Sequence, residues 1–167
     1  MAAATDEPQR LPELTFTRTF DAPRALVFKV WTDPYHVAQW WGPHGLTIPL
    51  SKVDARVGGL FEVHMLTPDG TLLPSVGEFR EVVPDERIVF TSNLVSPEGK
   101  TMIEVVNSVM LEDIGSRTRM TLHIKVLAAD PSVADKLGMM EEGWTQSLER
   151  VAAEVQRTVR AAGGPGR

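Results

Sequence analysis

The sequence contains no cysteine among its 167 residues. Disulfide bonds, thiol catalysis and cysteine-ligated zinc are therefore excluded. The chain also lacks an apolar run long enough for a membrane span, and its first residues show no secretory signal pattern. We therefore expect a cytoplasmic protein that does not span a membrane.

Basic residues are also fewer than acidic ones. Lysine and arginine together number 17 against 22 aspartates and glutamates, which gives a net charge of −5. Proteins that bind nucleic acid usually present a basic face, so we expect no nucleic-acid partner.

Sequence signatures of common catalytic and cofactor sites are missing too. The sequence has no nucleophile elbow, no glycine-rich phosphate loop and no dinucleotide fingerprint. The four histidines have none of the spacings typical of metal sites; they are His36, His44, His64 and His123. We therefore predict no catalytic residue, no metal and no cofactor.

What is present is one domain with a substantial apolar fraction. Of all residues, 43% are hydrophobic, and neither an internal repeat nor a low-complexity linker divides the chain. Polar and proline-containing residues at the start predict a flexible arm over 1–12, and the glycine-rich ending predicts a flexible tail over 161–167. The single domain is then expected over 13–160.

The first third of the domain predicts a strand followed by two short helices. Alternating apolar residues indicate a half-buried strand that ends at Phe20. Apolar residues then recur at helical spacing twice, first around Trp31 and then at Val37, Trp40 and Trp41. Gly42 and Pro43 are expected to end the second helix. We predict that one tryptophan of the Trp40–Trp41 pair is structural and that Trp41 lies at the rim of a pocket.

From residue 51 to about residue 126 the pattern is one of strands and turns. Apolar residues alternate with polar ones, and turn signals follow at short intervals, which favours an antiparallel meander. After Asp130 and Pro131, apolar residues at steps of three and four predict a helix of roughly 28 residues, about 42 Å long. Gly138 and Gly143 interrupt its first half, which indicates a close approach, a kink or a loop before the helix proper.

Particular stretches of the sequence resemble one family. They are FDAPRALVFKVWTDPYHVAQWWGP, VDARVGGLFEVHM, GEFREVVPDERIVFT and EEGWTQSLERVAAEV. Together they resemble the START-like (SRPBCC) superfamily, and within it the bacterial proteins similar to the C-terminal domain of the Hsp-ninety ATPase activator. The resemblance covers residues 14–158. Many relatives carry a histidine in the last strand at the position that our alignment gives to Ile124, and His123 has the opposite parity.

The resemblance implies an α+β helix-grip fold, also called START-like or birch-pollen-allergen-like. In this fold a curved antiparallel sheet wraps around a long C-terminal helix and leaves an internal cavity between them. A packed core is the simplest interpretation of any single apolar residue, but together a set of them is predicted to line the cavity. The set is Phe28, Trp31, Trp40, Trp41, Phe61, Val63, Met65, Asn107, Met120, Leu122, Met140 and Trp144.

A few polar residues leave their orientation open. Asn107 shares the parity of apolar neighbours and lies either inside the cavity or at a bulge or strand end. Glu78 and Arg80 face either the cavity or water, and we favour water. Glu62 and His64 would form an acid–base pair, but by parity they face away from the cavity.

These features favour a non-catalytic protein that binds a small hydrophobic or amphipathic molecule, either lipid-like or aromatic. A hydrolase or cyclase acting in the same cavity through Asn107 and Glu78 is the enzyme alternative, and it fails if both residues lie away from the cavity. A co-chaperone that regulates the Hsp-ninety ATPase is implied by the resemblance alone. Exposed sheet edges or a solvent-facing tryptophan would also allow a homodimer.

Overall fold

The structure, a computed structural model, describes residues 11–163. These residues form eight strands and three α-helices: one strand comes first, then two helices, then seven strands and the C-terminal helix. The strands are β1 (Glu13–Phe20), β2 (Thr47–Val53), β3 (Leu60–Leu66), β4 (Leu72–Val83), β5 (Arg87–Thr91), β6 (Asn93–Val95), β7 (Thr101–Asp113) and β8 (Thr118–Ala129). The helices are α1 (Arg24–Thr32), α2 (Pro34–Trp40) and α3 (Met140–Gly163), with a 3₁₀ helix at Pro131–Met139 before α3.

The strands form one antiparallel sheet in the order β1-β8-β7-β5-β4-β3-β2, and the short strand β6 pairs with β4 and β7. Strands β1 and β2 are the two edges of the sheet. Helix α3 crosses its inner face and buries Leu148, Val151 and Val155 in the core. The predicted helix-grip architecture is confirmed.

The alternation of the strands agrees with the parities predicted from the sequence. In β7 the buried residues are Ile103, Val105, Asn107, Val109 and Leu111, every second position. Because successive side chains of a strand point to opposite faces, these odd-numbered residues of β7 all point toward the inner face of the sheet.

The two short helices share one residue as a boundary. Asp33 ends α1 and caps α2, since its Oδ1 accepts a hydrogen bond of 2.8 Å from the amide of Tyr35. Pro34 follows at the first position of α2, where its missing N–H costs nothing.

Trp41 does not belong to the face of α2, which differs from the prediction. The helix ends at Trp40, and Trp41 has an extended ψ of 133°. Gly42 then takes a φ of +90°, a conformation that favours glycine. The two tryptophans therefore diverge because the backbone leaves the helix between them.

The C-terminal element is also shorter than predicted. Residues 131–139 form the 3₁₀ helix, so α3 has 24 residues rather than about 28. At its far end α3 continues to Gly163 through Ala161 and Ala162, good helix formers that fall in the predicted tail.

At the other terminus Leu11 packs against the core, and the carbonyl of Pro12 accepts a hydrogen bond from Val126. The rest of the predicted arm and tail, residues 1–10 and 164–167, lies outside the described residues. Within residues 11–163, no helix combines the length and the apolar character that crossing a bilayer requires.

Candidate functional site

A cavity of about 470 Å³ lies between the inner face of the sheet and the N-terminal part of α3. Its volume falls within the roughly 300–1,000 Å³ typical of sites for small molecules. The 3₁₀ helix and the residues after α2 complete its walls. The lining residues are Trp41, Gly42, Pro43, Met65, Leu73, Ser75, Ser92, Leu94, Ile103, Val105, Lys136, Met139, Met140, Gly143, Trp144 and Ser147.

The structure brings together four of the twelve residues predicted to line the cavity. Trp41, Met65, Met140 and Trp144 are part of its wall. The other eight lie outside the lining and pack in or against the core; they are Phe28, Trp31, Trp40, Phe61, Val63, Asn107, Met120 and Leu122. Most of these eight side chains point inward, as predicted, but they contact other side chains and not the open cavity.

An aromatic cluster fills the half of the interior beside the cavity. Trp31 and Trp40 have ring centroids 4.5 Å apart, and Phe61 and Phe90 are separated by 4.7 Å. Trp40 is fully buried, and its indole nitrogen donates a 2.9 Å hydrogen bond to the carbonyl of Val30. Such contacts leave no room for a ligand around these rings.

Trp41 and Trp144 form the boundary between this cluster and the cavity. Their rings meet edge to face at 5.6 Å, a favourable arrangement for two aromatic rings. Trp41 also contacts Phe61 at 5.0 Å, and Trp144 stacks against Trp31 at 6.5 Å. Both tryptophans are thus held by packed neighbours while another surface of each faces the cavity.

Arg150 of α3 fixes the segment that carries Trp41. Its guanidinium donates hydrogen bonds to the carbonyls of Gln39 at 3.0 Å and Gly42 at 3.1 Å. Longer bonds of 3.4 Å reach the carbonyls of Trp41 and Pro43. Burial lowers the pKa of Arg150 from its usual value, and repulsion from Arg157 lowers it further. Sequence reasoning missed Arg150, because no pattern links it to carbonyls more than 100 residues earlier.

Three buried serines give the cavity its internal polarity, and sequence reasoning missed them too. Ser75 lies on β4, Ser92 lies between β5 and β6, and Ser147 lies on α3. Ser75 could have been found from the sequence, since it shares the parity of the inward-facing Phe79. Ser92 shares the parity of the buried Phe90, and Ser147 lies at helical spacing from Trp144, so both gave the same kind of signal.

Asn107 lies behind Ser92 rather than in the cavity wall. Its amide nitrogen donates to Ser92 Oγ at 2.9 Å and to the carbonyl of Phe90 at 3.4 Å. Asn107 is fully buried, and its Oδ1 has no hydrogen-bond partner among the described residues. Of the two alternatives, Asn107 therefore has the inward orientation, but it does not line the cavity as predicted, and its amide affects the cavity through the serine hydroxyl.

The other polar candidates face away from the cavity. Glu78 and Arg80 are exposed, in agreement with the favoured alternative. Glu62 Oε2 and His64 Nε2 are 2.7 Å apart, but neither residue lines the cavity. His123 points outward toward Glu13 at 2.6 Å, whereas its neighbour Ile124 is fully buried.

A second, polar cleft of about 500 Å³ lies between α2 and the C-terminal half of α3. Its centre is Glu154, a buried carboxylate that contacts His36 Nδ1 and Arg157 Nη2, each at 2.6 Å. Because a buried carboxylate requires charged or hydrogen-bonding partners, this group holds α2 against α3. Among residues 11–163, no three histidine, aspartate or glutamate side chains come close enough to hold a metal ion.

The profile of one protein family matches most of the chain. Residues 21–156 match the family described as Activator of Hsp90 ATPase homolog 1-like protein. The chain belongs to this family. The resemblance inferred from the sequence motifs is thereby confirmed, and membership explains the shared order of strands, short helices and long C-terminal helix.

Solved structures of bacterial proteins agree with this family assignment. An Activator of Hsp90 ATPase homolog 1 protein from Silicibacter pomeroyi is 26% identical, with a TM-score of 0.73 over 87% of this chain and 98% of that one. A protein from Arthrobacter aurescens, solved by NMR, is also 26% identical, with a TM-score of 0.75 over 87% of this chain and 86% of that one. A third, from Chromobacterium violaceum, is 26% identical and has a TM-score of 0.70, covering 86% of this chain and 96% of that one. A search of curated proteins found no match.

Proposed function

We propose that this member of the Activator of Hsp90 ATPase homolog 1-like family binds a small hydrophobic or amphipathic molecule in the cavity, without catalysing a reaction. The observation that carries the proposal is the largely apolar wall around about 470 Å³ of space. Each Å² of apolar ligand surface removed from water would contribute about 25 cal/mol. Trp41 and Trp144 offer flat surfaces for an aromatic or lipid-like body.

The hydrolase or cyclase alternative loses the residues on which it depended. Glu78 is exposed to solvent on the outer face, and Asn107 lies behind the cavity wall. Among the lining residues of the described chain there is no histidine and no carboxylate.

The co-chaperone alternative rests on the family description alone. The cytoplasmic location and a homodimer, which the edge strands β1 and β2 would allow, stay predictions.

The proposal is best tested by filling the cavity from α3. An added Cβ at Gly143 would have no heavy atom within 4 Å, and Gly143 lines the cavity. Gly143→Leu is therefore expected to fold, because leucine is a better helix former than glycine, and to occupy the ligand's space. Gly138→Leu is the matched control, since Gly138 has equally open surroundings but does not line the cavity.

Binding would be measured by native mass spectrometry and by thermal shift against a panel of lipids, sterols and aromatic compounds. A ligand at a concentration of 100 times its Kd adds about 2.7 kcal/mol, which raises Tm by about 5 °C or more in a domain of this size. We expect that shift for the natural chain and Gly138→Leu, and its loss in Gly143→Leu. No shift with any compound, or an equal shift in both variants, would contradict the proposal.

A further inference from the structure

Lys136 is the one charged side chain among the residues that line the cavity in the described chain. It belongs to the 3₁₀ helix and is exposed, next to Met139, which is 68% exposed. These two residues therefore mark the side on which the cavity meets solvent. An ammonium placed here can remain hydrated while it contacts a group at the end of a bound molecule.

Among residues 11–163, the ammonium of Lys136 has no carboxylate partner. No carboxylate of the described chain lies within 4.0 Å of it, whereas Lys100 pairs with Asp130 at 2.5 Å. The acidic neighbours in sequence are Asp135, Glu141 and Glu142, all of them exposed and none of them part of the cavity wall. In a chain with a net charge of −5, a lysine without such a partner beside an apolar cavity is a distinctive feature.

The polar groups inside the cavity also suit a ligand that accepts hydrogen bonds. Ser92 Oγ already accepts a hydrogen bond from Asn107, so its own proton is free to be donated. Ser75 and Ser147 add two further hydroxyls, and no carboxylate lines the wall of the described chain to compete for them. Donors and one positive charge together favour oxygen-rich, negatively charged groups over basic ones.

We propose that the ligand of this cavity is an amphipathic anion, a lipid-like or aryl monocarboxylic acid whose carboxylate pairs with Lys136 at the cavity mouth. Its apolar body would lie against Trp41, Met65 and Trp144. A single ammonium suits a monoanion, whereas a phosphate group would need further cationic or backbone donors. This inference rests on the proposed binding function and adds the chemical class of the ligand.

The test compares molecules that share one apolar body and differ in head group. Dodecanoic acid, its methyl ester, dodecylamine and dodecyl phosphate would be titrated below their micellar concentrations, with tryptophan fluorescence as the readout because Trp41 and Trp144 line the cavity. An exposed ion pair is worth up to about 1 kcal/mol, so we expect the acid to bind about five-fold tighter than the ester. Added salt should reduce this preference, because it screens exposed charges.

Substitutions at Lys136 separate the head group from the apolar body. Lys136→Met should remove the preference for the acid and leave the affinity for the ester unchanged, and Lys136→Glu should favour the amine. Lys52→Met is the control, since Lys52 is exposed on β2 and does not line the cavity. It should keep the acid preference.

The two proposals fail in different ways. Equal affinity for acid and ester, a preference that survives in Lys136→Met, or tighter binding of the phosphate than the acid would overturn the inference and leave the binding function standing. If neither these four compounds nor the wider panel of lipids, sterols and aromatic compounds changes the fluorescence or Tm, and native mass spectrometry shows no bound molecule, the binding function itself falls.

Discussion

The inner face of the sheet has two halves with the same alternation of inward and outward side chains, but one half lines the cavity and the other is packed. In β7, Ile103 and Val105 line the cavity, whereas Val109 and Leu111 are packed in the core. In β4, Ser75 lines the cavity and Phe79 is fully buried among aromatic rings. The buried Asn107 lies at the boundary between the two halves.

The difference lies in what covers the sheet. Helix α1 packs against β7 and α3, and α2 packs against α3 and β2, so their tryptophans fill one half. Over the other half lie the start of α3 and the 3₁₀ helix, where Gly143 adds no side chain. The cavity therefore arises where the 3₁₀ helix and Gly143 leave space that tryptophan side chains fill in the other half. The strand side chains point inward in both halves.

The largest expected effect comes from truncating one leucine in each half. Leu122 of β8 is fully buried in the packed half, and Leu73 of β4 lines the cavity. Leu→Ala substitutions cost about 2–5 kcal/mol and cost more where a new void opens. We expect Leu122→Ala near the upper end and Leu73→Ala at or below the lower end, measured by urea unfolding. Equal losses would show that the two halves are packed alike.

A second comparison concerns the bonds that hold the covering helices in place. Glu154→Ala removes the carboxylate that joins His36 of α2 to α3, and a buried group left without its partner costs about 1–3 kcal/mol. Glu149→Ala is the control, because the bond of Glu149 to His44 at 3.3 Å is exposed at both ends. It should change the free energy of unfolding by less than about 0.5 kcal/mol. A cost for Glu149→Ala as large as that for Glu154→Ala would refute the distinction.

The smallest effect concerns the attachment of the 3₁₀ helix at low pH. Hydrogen bonds from Lys100 and then Ser132 hold the pKa of Asp130 well below its usual value. Its stabilisation is thus complete above the unfolded-state pKa of about 4 and is lost as the pH falls from there toward the folded-state value. Tm measured from pH 6 to pH 2 should fall less steeply for Asp130→Asn than for the natural chain. Parallel curves would show that this carboxylate does not contribute.

Much of the fold could be predicted because its signals are local. Alternation in the strands, Asp33 with Pro34 at the start of α2 and the Gly42–Pro43 break depend on neighbours within a few residues. The family motifs added the order of the elements, which the structure and the family profile confirm. The 3₁₀ helix at 131–139 was missed because its apolar spacing resembles that of an α-helix.

The candidate site was predictable only in part, as four residues show. Trp41, Met65, Met140 and Trp144 were expected at the cavity and line it. Leu122 and Met120 had the same inward parity, yet packed side chains surround them. Parity specifies the face of the sheet, but it carries no information about which element lies opposite.

By itself the sequence determined which parity of each strand turns inward, where the short helices begin, and which family the chain resembles. Only the tertiary structure decided which part of the inner face is filled and which is left open. It also placed Lys136 at the mouth, Ser92 in front of Asn107 and Arg150 on the backbone that carries Trp41. The physical reason is that orientation is set by local backbone geometry, whereas a void depends on the volumes of side chains that meet from distant parts of the chain.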